Sequence, residues 1–157
     1  MKEAVLALGT NLLDREKNLR TALEALKRLP DTVVEKVSSI YETEPFQTPD
    51  PQNDYLNCCV KVQTELLPEM LLGCCLGIEA AMGRERPFKN AARIIDIDLL
   101  LYEGVAMNTA HLTLPHPRIK ERAFVMVPLK DLYKNKVALG LDFSEALEVV
   151  IIQNEVK

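Results

Sequence analysis

The chain has no tryptophan, only two histidines and only six glycines in 157 residues, and these shortages narrow what it can do. Neither the G-x-x-x-x-G-K-[ST] loop nor the G-x-G-x-x-G turn is present, so the usual backbone cradles for nucleotide phosphates are missing. No His/Cys/carboxylate set stands at zinc-ligand spacing. No G-x-S-x-G or Ser-His-Asp arrangement appears, which leaves hydrolase chemistry little support. Aromatics make up 5% of the chain and the net charge is −4, against both a base-stacking RNA module and a basic face for a duplex. No apolar run reaches membrane-spanning length, and the N-terminal residues lack the layout of a secretory leader. The four cysteines form two adjacent pairs, Cys58-Cys59 and Cys74-Cys75, a pattern that suits neither a metal site nor a disulfide framework. They read as small buried hydrophobes in a reducing cytoplasm.

What remains is an ordinary globular composition, 48% apolar and 27% charged, sized for one domain over 1–157. Residues 2–8 read as a strand broken by Gly9-Thr10-Asn11. Leu12, Leu19, Leu23, Leu26 and Leu29 mark an amphipathic helix over 12–29, with Asn11 or Asp14 as its cap and Pro30 ending it. Residues 32–41 are β-rich, and Tyr55–Thr64 is a second long strand. The Pro-bearing stretch 42–54 between them is too long for a simple hairpin loop. Pro68 opens a second helix over 69–82, closed by Gly83. A basic loop, 84–92, leads into an apolar strand over 93–102, and 144–152 reads as a last helix. Strand, helix, strand, strand, helix, strand is the order of a ferredoxin-like α+β unit, a mainly antiparallel sheet flanked by helices.

Asp96 and Asp98 stand out because they lie two apart in the apolar strand and so share one face. Two adjacent carboxylates repel and are costly to desolvate. A divalent cation such as Mg²⁺ would neutralise both, since it takes one or two carboxylates and keeps sites for phosphate oxygens and water. An edge strand that turns its acids to water explains the pattern equally well. The basic residues cluster at Arg84, Arg86, Lys89 and Arg93 and again at Arg118, Lys120 and Arg122, as a small polyanion would require. Tyr55 and Asn57 share a strand face, an arrangement that can stack on and hydrogen-bond a flat heterocycle. Phe124 offers a second ring, although aromatics more often fill cores. His116 is held between two prolines, beside Arg118.

In combination and in order these motifs resemble the 6-hydroxymethyl-7,8-dihydropterin pyrophosphokinase family. The resemblance runs through Gly9-Thr10-Asn11-Leu12, Tyr41-Glu42-Thr43-Glu44-Pro45, Asp54-Tyr55-Leu56-Asn57, Ile78-Glu79 and Gly83-Arg84. It continues in Arg93 with Asp96-Ile97-Asp98-Leu99-Leu100, then Leu114-Pro115-His116-Pro117-Arg118 and Arg122-Ala123-Phe124-Val125. It implies transfer of a pyrophosphoryl group from ATP to the pterin's hydroxymethyl oxygen, with release of AMP, in folate biosynthesis. Asp96 and Asp98 would hold two Mg²⁺ ions, and Arg84 and Arg93 would act with them in catalysis. Glu79, Arg84, Arg86, Lys89, Arg93, His116 and Arg122 would line the ATP site. Thr43, Pro45, Phe46, Tyr55, Asn57 and Phe124 would hold the pterin. Segments 9–12 and 45–51 would be flexible and 84–92 would be the catalytic lid. Ala91-Ala92, Lys89, Asn90 and Leu76 depart from the family pattern in the lid and near the adenine. The expectation is a monomeric cytoplasmic enzyme acting on two small molecules, with no nucleic-acid or membrane partner. The alternatives are an inactive homologue or another metal-dependent nucleotide transferase on the same scaffold.

Overall fold

The computed structural model describes residues 1–45, 51–83, 94–149 and 154–156. In chain order the elements begin with β1 (Lys2–Thr10), α1 (Arg15–Lys27), β2 (Thr32–Val37), β3 (Ile40–Thr43) and β4 (Tyr55–Thr64). They continue with α2 (Pro68–Ala81), β5 (Asp96–Tyr102), β6 (Met107–Asn108), β7 (Thr113–Leu114), a 3₁₀ turn at Ile119–Glu121 and α3 (Ala123–Leu132). The hairpin β8 (Val137–Ala138) and β9 (Leu141–Asp142), α4 (Ser144–Glu148) and β10 (Asn154–Val156) complete the described chain.

The six-stranded sheet runs β10-β3-β4-β1-β5, with β2 also pairing β4, and every pairing is antiparallel. β1 is its spine. It pairs β4 from Lys2↔Thr64 to Thr10↔Leu56 and, on its other side, β5 from Ala4↔Tyr102 to Gly9↔Asp96. Because side chains alternate along a strand, β1 serves two cores. Ala4, Leu6 and Leu8 face α1 and α2 with Cys58, Val60, Ile97 and Leu99. Val5 and Cys59 face α3, where Val125, Met126, Leu129 and Leu132 cover them together with Phe143. A register shift between Val5 and Leu6 lets Leu100 and Leu101 both enter this second core. The adjacent cysteines of β4 thus divide between the two cores, as alternation requires. Burial alone pushes the Cys58 thiol up to about 12, so it stays an inert packing group.

Several boundaries differ from the sequence expectation, each for a local reason. β1 does not break at Gly9 but continues through Thr10, because β4 extends far enough to pair with both. The first helix starts at Arg15, not residue 12, where Asp14 caps it by accepting from the Lys17 N–H at 3.1 Å. The stretch 32–41 divides into β2 and β3 at Ser38-Ser39: Ser38 Oγ accepts from the Cys59 N–H at 2.8 Å and takes over one ladder bond. The last helix is short, ending at Glu148, and Asn154–Val156 is a strand on β3. Helix α3 has no counterpart among the elements expected from the sequence. Pro128 inside it interrupts the pattern that Val125, Met126, Leu129 and Leu132 would otherwise show.

Leu8→Ala should cost about 2–5 kcal/mol, since Leu8 is fully packed between the sheet and both helices. A shift of less than about 1 kcal/mol in urea unfolding would contradict its place in the core.

Candidate active site

The site is built on the register of three neighbouring strands. Gly9 of β1 lies opposite Asn57 of β4 and, on its other side, opposite Asp96 of β5. Asn57 in turn lies opposite Tyr41 of β3. Directly opposed residues share a face, so Tyr41, Asn57, Gly9 and Asp96 form one row across the sheet. Two residues along each strand, Cys59, Ala7 and Asp98 make the next row, where α3 begins to cover the face. Both aspartates are half-buried, whereas Ile97 between them points into the opposite core. β5 is indeed an edge strand, yet its acids lie on the sheet face that carries Asn57.

Each end of the row is held by hydrogen bonds. Ile97 donates its N–H to Glu79 Oε2 at 2.7 Å, so the backbone between the two acids is fixed by a buried carboxylate of α2. Asn57 Nδ2 donates to Thr43 Oγ1 at 2.6 Å, and both residues are buried. Asp131 of α3 accepts from the Tyr41 hydroxyl at 2.8 Å and from the Ser39 N–H at 3.1 Å, tying helix to sheet. Arg122, the residue before α3, brings Nη1 to 3.7 Å from Asp98 Oδ2. Its guanidinium carbon lies 5.6 Å from the centroid of the Phe124 ring, and its buried Nε has no protein partner among the described residues.

Among the described residues no group of three His, Cys, Asp or Glu side chains could hold a metal. That donor set does not suit zinc, which takes three or four protein ligands. It fits Mg²⁺, which is held by one or two carboxylates and completed by phosphate oxygens and water. The paired oxygens of Asp96 and Asp98 on one face are of that kind.

Residues 5–134 match the family described as 7,8-dihydro-6-hydroxymethylpterin-pyrophosphokinase (HPPK). The chain belongs to the HPPK family. It is 43% identical over 147 residues to a 2-amino-4-hydroxy-6-hydroxymethyldihydropteridine pyrophosphokinase of Methylorubrum extorquens, covering 94% of this chain and 92% of the relative. A protein of the same name from Bacillus subtilis is 42% identical over 129 residues, 82% of this chain and 77% of that one. A solved HPPK-DHPS structure superposes with a TM-score of 0.70 at 14% identity, over 94% of this chain. The chain spans only 45% of that fused protein, and the likeness speaks for the fold.

Of the residues that the HPPK resemblance singles out, Thr43, Tyr55, Asn57, Asp96, Asp98, Arg122 and Phe124 belong to these strands or to the start of α3. Phe46, Arg84, Arg86, Lys89 and Arg93 lie outside the described residues, as do most of segment 45–51, the lid and its Asn90-Ala91-Ala92 departures. Pro45 is half-buried just after β3, and Leu76 is exposed on α2. Glu79 is buried beneath the acid pair. His116 donates its N–H to the Leu100 carbonyl at 2.8 Å and accepts the Arg118 N–H on Nδ1 at 3.2 Å. The remaining proton is therefore assigned to Nε2, free to donate to an anion. Burial first, then Arg122 and Arg118, lower the His116 pKa to about 4.

The resemblance implies a flexible segment over 9–12; within it Thr10 and Asn11 are fully buried. Asn11 Nδ2 donates to Gln52 Oε1 at 2.9 Å and to the Asn53 carbonyl at 3.2 Å, while Arg15 reaches the Asp54 carbonyl and Glu42. These ties hold the chain ahead of β4 against the end of β1. Nothing local in the sequence marks Gln52 or Arg15 as partners, because their contacts cross 41 and 39 residues.

NMR titration of the imidazole should place the His116 midpoint near pH 4, and a midpoint at or above 6.5 would contradict its placement. Since the folded-state value lies below the ordinary 6.5, the unfolded chain takes up this proton first as acid is added. The stability that the neutral ring supplies is complete above about pH 6.5 and drains away as pH falls toward 4. His116→Gln should flatten that limb of the pH–stability curve. Separately, Glu79→Leu should cost about 1–3 kcal/mol and speed amide exchange at Ile97, whereas Glu79→Gln, which keeps an acceptor, should largely preserve protection. Unchanged exchange in Glu79→Leu would break the link between α2 and the acid pair.

Proposed function

We infer that this chain transfers a pyrophosphoryl group from ATP to the hydroxymethyl oxygen of 6-hydroxymethyl-7,8-dihydropterin and releases AMP. The observation that carries this reading is the shared sheet face, where a fixed carboxamide and a pair of acids stand two strands apart. That separation is about 10 Å, a span that lets a heterocycle at one end present its substituent to a phosphate at the other. Tyr55, Asn57 and Phe124 would hold the pterin, with Thr43 orienting the Asn57 carboxamide and Pro45 and Phe46 bordering it. Arg122, His116 and the cations Arg84, Arg86, Lys89 and Arg93 would bind the triphosphate, with Glu79 keeping the strand beneath it in place.

In the reaction the hydroxymethyl oxygen bonds to the β-phosphorus while the bond from that phosphorus to the α,β-bridging oxygen breaks. The bridging oxygen leaves with AMP, and the hydroxyl proton passes to solvent. Such a transfer depends on in-line positioning and charge neutralisation more than on covalent help. Arg122 would neutralise phosphate charge, a role supported by its position beside Asp98 and the Phe124 ring. The neutral His116 Nε2–H offers a further donor to a phosphate oxygen. Asp96 and Asp98 would hold Mg²⁺, two ions in the family pattern, which supplies neutralisation of the triphosphate charge. We extend the proposal to one catalytic domain over 1–157, working as a monomer in the cytoplasm. No helix among the described residues is long and apolar enough to cross a membrane.

Incubation with ATP, Mg²⁺ and the hydroxymethyl-dihydropterin, followed by anion exchange, should give AMP only when the pterin is present. ADP would instead identify an ordinary kinase on this scaffold, and no turnover with pterin still bound would identify an inactive homologue. Asp96→Ala and Asp98→Ala should each abolish Mg²⁺-dependent AMP release yet leave pterin binding without nucleotide largely intact. Wild-type turnover in either variant would remove the acids from the metal site.

A further inference from the structure

On the site face the β1 side chains shrink from Val5 through Ala7 to Gly9, so the strand loses its side chain where it passes between Asn57 and Asp96. A glycine inside a strand sacrifices stability and packing, and it usually marks a close approach. Backbone conformation does not require it here. The positive-φ glycines are Gly83, Gly104 and Gly140, and Gly9 is not among them.

Space does require it. A Cβ at position 9 would lie 2.9 Å from Asn57 Oδ1, 3.5 Å from Tyr55 Cδ2 and 3.9 Å from the Leu56 carbonyl oxygen. The first distance is shorter than real Cβ contacts allow, and the three nearest atoms all belong to β4, none to Asp96. Asn57 has little room to yield, because it is 5% exposed and its Nδ2 is held by Thr43 Oγ1 at 2.6 Å. A methyl group would therefore push the carboxamide off Thr43, whereas its 3.5 Å approach to the Tyr55 ring would be ordinary contact.

We propose that Gly9 is a positioning residue of the pterin subsite: by leaving its Cβ position vacant it sets the placement of the Asn57 carboxamide. This rests on the reading that Asn57 and Tyr55 hold the heterocycle. Gly9 acts through the Asn57 side chain and touches no reacting group itself. Its effect is confined to the β4 side of the row, which separates it from the acid pair on the β5 side.

The test is Gly9→Ala in the full chain, read in three ways. In the ligand-free protein the Asn57 side-chain amide resonances should shift and exchange faster with solvent. Calorimetry with 6-hydroxymethylpterin should show at least tenfold weaker binding, while a non-hydrolysable ATP analogue with Mg²⁺ binds within twofold of wild type. In an Asn57→Ala background, where the crowded group is gone, Gly9→Ala should change pterin affinity less than twofold further. Wild-type pterin affinity in Gly9→Ala overturns the proposal. An equal loss of pterin and nucleotide binding also overturns it, since that would mark a general disturbance of the sheet. If the wild-type chain itself binds no pterin, the functional reading falls and takes the positioning role in pterin binding with it. The Asn57 amide shift would survive that result, so the two failures are told apart.

Discussion

The arrangement of this protein depends on the register of β5 and β4 against β1. A slip of one residue in β5 would turn Asp96 and Asp98 into the α1/α2 core and bring Ile97 to the site face. Burying two carboxylates among Leu8, Cys58 and Ile78 would be severely unfavourable, so the hydrophobic pattern and the placement of the acids enforce the same alignment. The register shift at Val5/Leu6 belongs to this constraint. It admits the paired leucines Leu100 and Leu101 to the second core without altering the phase of the strand at Asp96 and Asp98.

An edge strand has one side of its backbone open, and here the open side is used. Glu79 occupies it at Ile97, midway between the acids, from a helix that packs on the opposite face. The other end of the row is steadied by side-chain partners, Thr43 for Asn57 and Asp131 for Tyr41. Helix α3 contributes in two ways, covering the lower part of the face with Met126 and Leu129 and starting with Arg122 beside Asp98. The same helix thus closes a core and limits one wall of the site. Rigid elements supply most of the residues on this face, which suits a transfer that works by positioning.

Much of this is legible in the sequence. Two acids at i and i+2 in an apolar run declare a common face, and Tyr55 and Asn57 do the same on β4. The boundaries of β4 also match, because alternation and β-branched residues carry that information locally. The motifs in sequence resemble the HPPK family, to which the chain belongs. Other features are not legible because they depend on distant partners. Thr10 and Asn11 look like a polar loop until β4 and the segment before it are placed against them. Gly9 looks like a turn glycine until Asn57 is set opposite. Helix α3 is hidden by Pro128, and Glu79 gives no local sign that it meets Ile97 across 18 residues.

In the proposed function, one face of the sheet, from Asn57 to Asp98, brings the heterocycle and the triphosphate together. The most direct test is a crystal structure of the complex with Mn²⁺, a non-hydrolysable ATP analogue and 6-hydroxymethylpterin, with the metal located by its anomalous scattering. Manganese should lie on the oxygens of both Asp96 and Asp98, with the pterin on the same face against Asn57 and its hydroxymethyl group directed toward the metal. Manganese away from both aspartates, or a pterin bound elsewhere than against Asn57, would contradict that claim.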